Sequence, residues 1–139
     1  MENVVDSNHF VQFEFEGQKQ KVSFIETTDV TEGVQCDVYK FDGDNTKDLG
    51  IIRVKPGYKT PRQRVLKGDR TIEGYVSGNG KLIVSTAVQE KVYKSKEGEE
   101  LKVDVKVGEI MQWQAGDRQL VAYEICFPPY EDGRYEDLP

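Results

Sequence analysis

The chain has 139 residues, the length of one ordinary domain, and 37% of them are hydrophobic, enough for a single core and too many for a disordered chain. Its formal net charge is −6, from 19 Lys and Arg against 25 Asp and Glu, which argues against a nucleic-acid partner held by its phosphate backbone. No apolar run approaches the ~20 residues of a membrane helix, and Met1 is followed by Glu2 and Asp6 rather than by a basic, then apolar leader, so no membrane partner and a cytoplasmic location are expected.

In chain order the elements have the two-residue period of strands. Residues 10–15 are aromatic and β-branched and stop at Gly17, and residues 21–25 read as their hairpin partner. Residues 34–41 alternate loosely and end in a turn at Asp42, Gly43, Asp44 and Asn45, residue types that tolerate left-handed backbone angles. Residues 50–54 form a strand that stops at Pro56 and Gly57. Residues 70–77 form another, closed by Gly78, Asn79 and Gly80, with residues 81–88 leaving that turn as a hairpin partner and 89–93 extending it. A charged loop (94–100) precedes the strictly alternating run 101–107, and the runs 110–113 and 120–127 complete the set.

That makes about ten short strands and no long amphipathic helix, the pattern of a sandwich or barrel in one domain, 1–139. Pro128, Pro129 and Pro139 lack amide donors, so the C-terminal segment 128–139 reads as an irregular tail that packs across the surface or reaches a neighbouring subunit. Cys36 and Cys126 are too few for a disulfide framework and are expected to be free thiols.

Two spaced motifs carry a resemblance. Gly108, then Gln114, Gly116, Gln119 and Tyr123, follow the second cupin motif, which has Gly, five residues, Pro-x-Gly, two residues, His, three residues and Asn. Gln114 stands for the Pro, Gln119 for the His and Tyr123 for the Asn. Upstream, Gly57 opens a match to the first motif that puts Gln63 and Val65 at its two His positions and ends at Glu73 and Gly80, with a longer turn between Val65 and Glu73. The matched region is 57–123, and the only histidine of the chain, His9, lies outside it. The chain thus resembles the cupin superfamily as a degenerate member without the metal-binding histidines. The resemblance implies an all-β, double-stranded β-helix or jelly-roll barrel with an internal cavity, and a homodimer. For the dimer, the N-terminal strand with Phe10, Val11, Phe13 and Phe15 is the expected pairing edge.

Of the four positions that would hold a metal, only Glu73 carries a ligand of the usual kind, so neither metal nor cofactor is expected. Strand alternation puts Thr71 and Tyr75 on the face of Glu73, and Val121, Tyr123, Ile125 and Phe127 on the face of Gln119. The expected ligand-binding set is therefore Gln63, Glu73, Tyr75, Gln119 and Tyr123. Arg62 and Arg64, from the basic segment 62–70, stand at a mouth that would attract an anion. Each has a plainer reading: amides that satisfy buried backbone groups, tyrosines and Trp113 in the core, a solvated basic loop, and Glu73 held by Arg53, Arg62 or Arg118.

The first functional expectation is a metal-independent cupin that binds a small polar or anionic ligand, a sugar or an organic acid, in the barrel. The alternative is a metal-independent isomerase, epimerase or lyase on a carbohydrate-like substrate, with Glu73 as base and Tyr75 or Tyr123 as acid.

Overall fold

The computed structural model describes residues 9–139, together with the backbone of Val5 and Asp6; the leader reading rests on Met1 and Glu2, outside the described residues. Among the described residues fourteen strands follow one another: β1 (Val5–Asp6), β2 (His9–Phe10), β3 (Gln12–Phe15), β4 (Gln18–Thr31), β5 (Val34–Phe41), β6 (Asp44–Val54), β7 (Arg62–Val65), β8 (Arg70–Ser77), β9 (Gly80–Ser85), β10 (Glu90–Lys94), β11 (Lys102–Asp104), β12 (Ile110–Ala115), β13 (Leu120–Phe127) and β14 (Tyr135–Leu138). There is no helix among the described residues. A seven-stranded sheet in the order β11-β8-β13-β6-β5-β4-β3 faces a five-stranded sheet in the order β10-β9-β12-β7-β14. This is the expected all-β jelly roll.

The two motifs meet at one end of the barrel. Lys59 bridges Gln114, Gly57 N–H donates to the Gly116 carbonyl at 2.9 Å, and Thr60 N–H donates to the Trp113 carbonyl at 2.9 Å.

Three expectations about the strands need correction. Residues 81–88 do not pair with 70–77: β8 bonds to β11 and β13, and β9 bonds to β10 and β12, so the chain changes sheets at Gly78–Gly80. Gly78 makes the crossing with φ +86, its α-carbon pressed against the Gln119 carbonyl where any side chain would collide. Residues 89–93 are not an extension of the strand before them but a separate strand, β10, antiparallel to β9. The tail is not wholly irregular. Its prolines flank a run with free amides, and β14 pairs with β7 from Tyr135↔Val65 to Leu138↔Arg62. Arg134, 1% exposed, anchors that return by donating to the carbonyls of Pro128 (3.0 Å) and Arg70 (2.7 Å) and to Thr71 Oγ1 (2.9 Å).

The middle strands of the seven-stranded sheet are buried on both faces. Its inner face and the five-stranded sheet enclose Val34, Val54, Val65, Leu82, Trp113 and Leu120. Its outer face carries Tyr39, Ile51, Ile72, Tyr123 and Ile125, covered by Phe13 and Phe15. β3 lies four places from β13 in the strand order, yet the Phe13 and Tyr123 rings sit 5.0 Å apart, so the β3–β4 hairpin folds back across the sheet. Burying a large apolar side chain there contributes about 1.5–3 kcal/mol. Phe13 and Phe15 are thus spent on the chain's own core, contrary to their expected place on a subunit edge. The exposed apolar side chains near that edge include Val11 and, on β4, Phe24, Ile25 and Val30.

Candidate functional site

Between the sheets lies a cavity of about 470 Å³. Alternation builds its walls. From the seven-stranded sheet, β6 contributes Asp48, Gly50 and Ile52, β8 Glu73, and β13 Glu124. From the facing sheet, β7 contributes Gln63 and β12 Met111 and Trp113. The tail adds Tyr130 and Tyr135, and the far half of β4 adds Glu26, Thr28 and Val30 at the rim.

The chemistry is concentrated in one carboxyl pair. Glu73 and Glu124 are directly opposite on β8 and β13, and like charges so placed repel across the strands. On its other side Glu124 faces Gly50, which has no side chain, so the space beside the pair stays open; a Cβ on Gly50 would meet Cys36 Sγ at 3.0 Å. Glu73 is 1% exposed. Its Oε1 accepts the Trp113 indole N–H at 2.8 Å, and its Oε2 receives no donor from the protein. Burial first, and then the Glu124 charge, push the Glu73 carboxyl well above the usual range, against the lowering effect of the Trp113 bond.

The thiols beside the pair are inert. Burial raises Cys36 to about 12 and raises Cys126 further; both are free. Cys126 Sγ lies 3.6 Å from Glu124 Oε1 and 3.2 Å from the Tyr135 hydroxyl.

Of the residues expected from sequence, the structure brings Gln63 and Glu73 together in the cavity. Gln63 Nε2 donates to Asp137 Oδ1 at 2.9 Å, which ties it to the tail. Tyr75 shares the inner face but stops in the core, where its hydroxyl donates to the Gly78 carbonyl at 2.6 Å. Gln119 and Tyr123 do not reach the cavity. Gln119 precedes β13, is exposed, and lines a surface hollow with Asp29, Gly33 and Arg53. Tyr123 points to the outer face, over the bare α-carbon of Gly74 and against Phe13. The inward residues of β13 are Leu120, Ala122, Glu124 and Cys126, the opposite set from the one expected, because Gln119 is not part of the strand.

Arg62 and Arg64 also leave the site, since they alternate with Gln63 and Val65 and face outward. Arg64 lies 3.9 Å from Glu136, Lys67 3.1 Å from Glu131, and Arg70 3.1 Å from Glu16, so the basic segment is matched by surface acids. Arg53 pairs with Asp37 at 2.8 Å and Arg118 with Glu97 at 3.5 Å, so neither holds Glu73; Trp113 does. His9 stacks on Phe24 with ring centroids 3.6 Å apart, on the outer face.

Glu124 was missed, although a signal for it exists: it is the one charged residue in the apolar run 120–127. A transition-metal centre does not fit these residues. Of the four matched positions, Val65 is a core side chain and Gln119 is outside, and among the described residues no group of three or more His, Cys, Asp or Glu could hold a metal ion.

No family model and no curated protein matches the chain. Solved structures do. A cupin-2 domain from Rhodospirillum rubrum is 16% identical over 92% of this chain and 80% of its own, with a TM-score of 0.61. The capsular polysaccharide assembling protein CapF of Staphylococcus aureus is 15% identical over 84% of this chain, with a TM-score of 0.65, and this chain spans only 34% of it. A Bacillus subtilis oxalate decarboxylase with Mn(II) centres is 18% identical over 78% of this chain and 29% of its own, with a TM-score of 0.63. Two facing antiparallel sheets, two motif segments bonded together at one end, and these likenesses give the chain the fold of the cupin superfamily, as a jelly-roll barrel.

Proposed function

We propose that the chain is a metal-independent binding module that holds a small polar ligand in the barrel cavity. One observation carries the reading: a cavity of about 470 Å³ with a buried carboxyl, Glu73, whose Oε2 has no protein donor. An apolar enclosure with a few convergent polar groups is the usual form of a small-molecule site, and an unpaired buried acceptor is costly until something donates to it. The donor set supports metal independence: the described lining has no imidazole, and among the described residues its carboxyls form no group of three that could hold a metal ion.

The test is a thermal-shift screen of small polar compounds against the chain and its Val38→Phe variant, which narrows the cavity. A hit should raise the melting temperature of the first and not of the second, and should survive chelator treatment. A screen without a single hit, or hits that ignore Val38→Phe, would refute the reading.

The Glu73–Glu124 pair also favours a second reading, a metal-independent isomerase, epimerase or lyase. Two carboxyls held in different environments can divide acid and base roles. Tyr75 and Tyr123 cannot be the acid from where they stand, so Glu73, whose carboxyl is pushed up by burial, takes that role and Glu124 the base. Deuterium uptake from solvent into a bound hydroxy acid or sugar would support it.

For assembly, the homodimer is proposed at the exposed half of β4 rather than at Phe13 and Phe15. Light scattering that finds monomer alone at micromolar concentration would count against it.

A further inference from the structure

The ligand's charge can be read from the walls. We infer that the cavity takes an organic ammonium ion, a small apolar body carrying a protonated primary or secondary amine, with its N–H groups received by Glu73 and Glu124. The inference rests on the cavity-binding reading and narrows it.

The described cavity wall is acidic and carries no cation. Glu26, Asp48, Glu73 and Glu124 line it, and none of its described lining residues is Lys, Arg or His. The buried cation nearby, Arg134, is turned to the carbonyls of Arg70 and Pro128 and to Thr71 and is not part of the wall. An anionic ligand would add charge to a carboxyl pair that already repels. An ammonium group does the reverse. It supplies the donor that Glu73 Oε2 lacks, takes the place of the proton the pair would otherwise share, and neutralises one charge in a low-dielectric site. The remaining walls suit its body, with Val30, Ile52, Met111 and the aromatic Tyr130 and Tyr135. The open space over Gly50 lies beside Glu124, where the head group must sit.

Trp113 is the only tryptophan and is bonded to Glu73, so its fluorescence reports directly on the pair. The experiment titrates the chain with cyclohexylammonium, cyclohexanol and cyclohexanecarboxylate, which share one apolar body and differ in charge. Cyclohexylammonium should shift the emission saturably with a Kd at least about tenfold below that of cyclohexanol, and the carboxylate should leave it unchanged. Glu73→Gln should erase the amine's advantage and keep the binding of cyclohexanol. Glu124→Gln is the second variant should the first fail to fold, and should do the same. Cyclohexanol or the carboxylate binding as tightly as the amine would overturn the ammonium assignment and leave the cavity reading standing. An amine response that survives both variants comes from elsewhere on an acidic surface and would also overturn it. Silence from all three compounds would remove both readings.

Discussion

Trp113 and Glu73 reach each other across the barrel, from the five-stranded sheet to the seven-stranded one, with the indole N–H 2.8 Å from Glu73 Oε1. Both are buried to within 2% of full exclusion. The bond therefore fixes the separation of the two sheets at the cavity floor, and holds the carboxyl so that its other oxygen faces Glu124 and the open space. Trp113→Phe should destabilise the fold by about 1–3 kcal/mol, because it leaves a second buried carboxyl oxygen without a donor. Urea denaturation of both single variants and of Trp113→Phe/Glu73→Gln should show non-additivity of about 1 kcal/mol or more. Additive losses would mean that the bond contributes nothing of its own.

Glu73→Gln should stabilise the protein at neutral and alkaline pH. A carboxyl whose folded-state pKa is raised binds more protons folded than unfolded, so the wild-type chain loses stability as pH climbs above 4.5 toward the folded value. The amide keeps the shape and the Trp113 bond, and has no charge to bury. The melting-temperature difference between variant and wild type should be smallest near pH 4 and grow through pH 8. A difference that is flat in pH would contradict the raised pKa.

At the acid end the opposite sign is expected from Glu16. Hydrogen bonds from Arg70 and then Lys102 lower its carboxyl to about 2, so its contribution is complete above 4.5 and is lost as pH falls toward that value. The side chains are well exposed to solvent, which holds the effect of Glu16→Gln below about 1 kcal/mol. Denaturation at pH 7 and pH 3 should show the variant weaker at the first and weaker by a smaller margin at the second. Added salt should shrink the pH 7 difference.

Arg134→Met should release the tail. It leaves the carbonyls of Pro128 and Arg70 and the Thr71 hydroxyl without their shared donor, at a cost of about 2–4 kcal/mol. Hydrogen exchange should speed up first in β14 and in β7, its partner. Protection that falls evenly over the whole chain would argue that Arg134 is not the local anchor.

The barrel could be read from the chain because its strands announce themselves. β5, β8 and β13 have the bounds that periodicity and turn residues imply. The sheet change at Gly78 could not be read, since a Gly-Asn-Gly turn looks the same whether it closes a hairpin or carries the chain to the other sheet. Glu73 was legible as a carboxyl in a strand with inward neighbours. Glu124 was not, because the parity of β13 was taken from Gln119, a residue placed by motif spacing but lying before the strand begins. The tail misled for a simpler reason: the prolines at 128 and 129 mask the free amides of residues 135–138.

The pairing of β14 with β7 joins Gln63 to Asp137, 74 positions apart in the sequence. A cavity wall made from such distant segments does not exist in a half-folded chain, because the loop between them must close before any of its contacts count. Occupancy and global folding are therefore linked. A ligand at a hundred times its Kd would deepen the folded state by about 2.7 kcal/mol and thin the unfolded fraction roughly a hundredfold. Where proteases clear unfolded chains, the amount of this protein would rise and fall with the supply of whatever fills it.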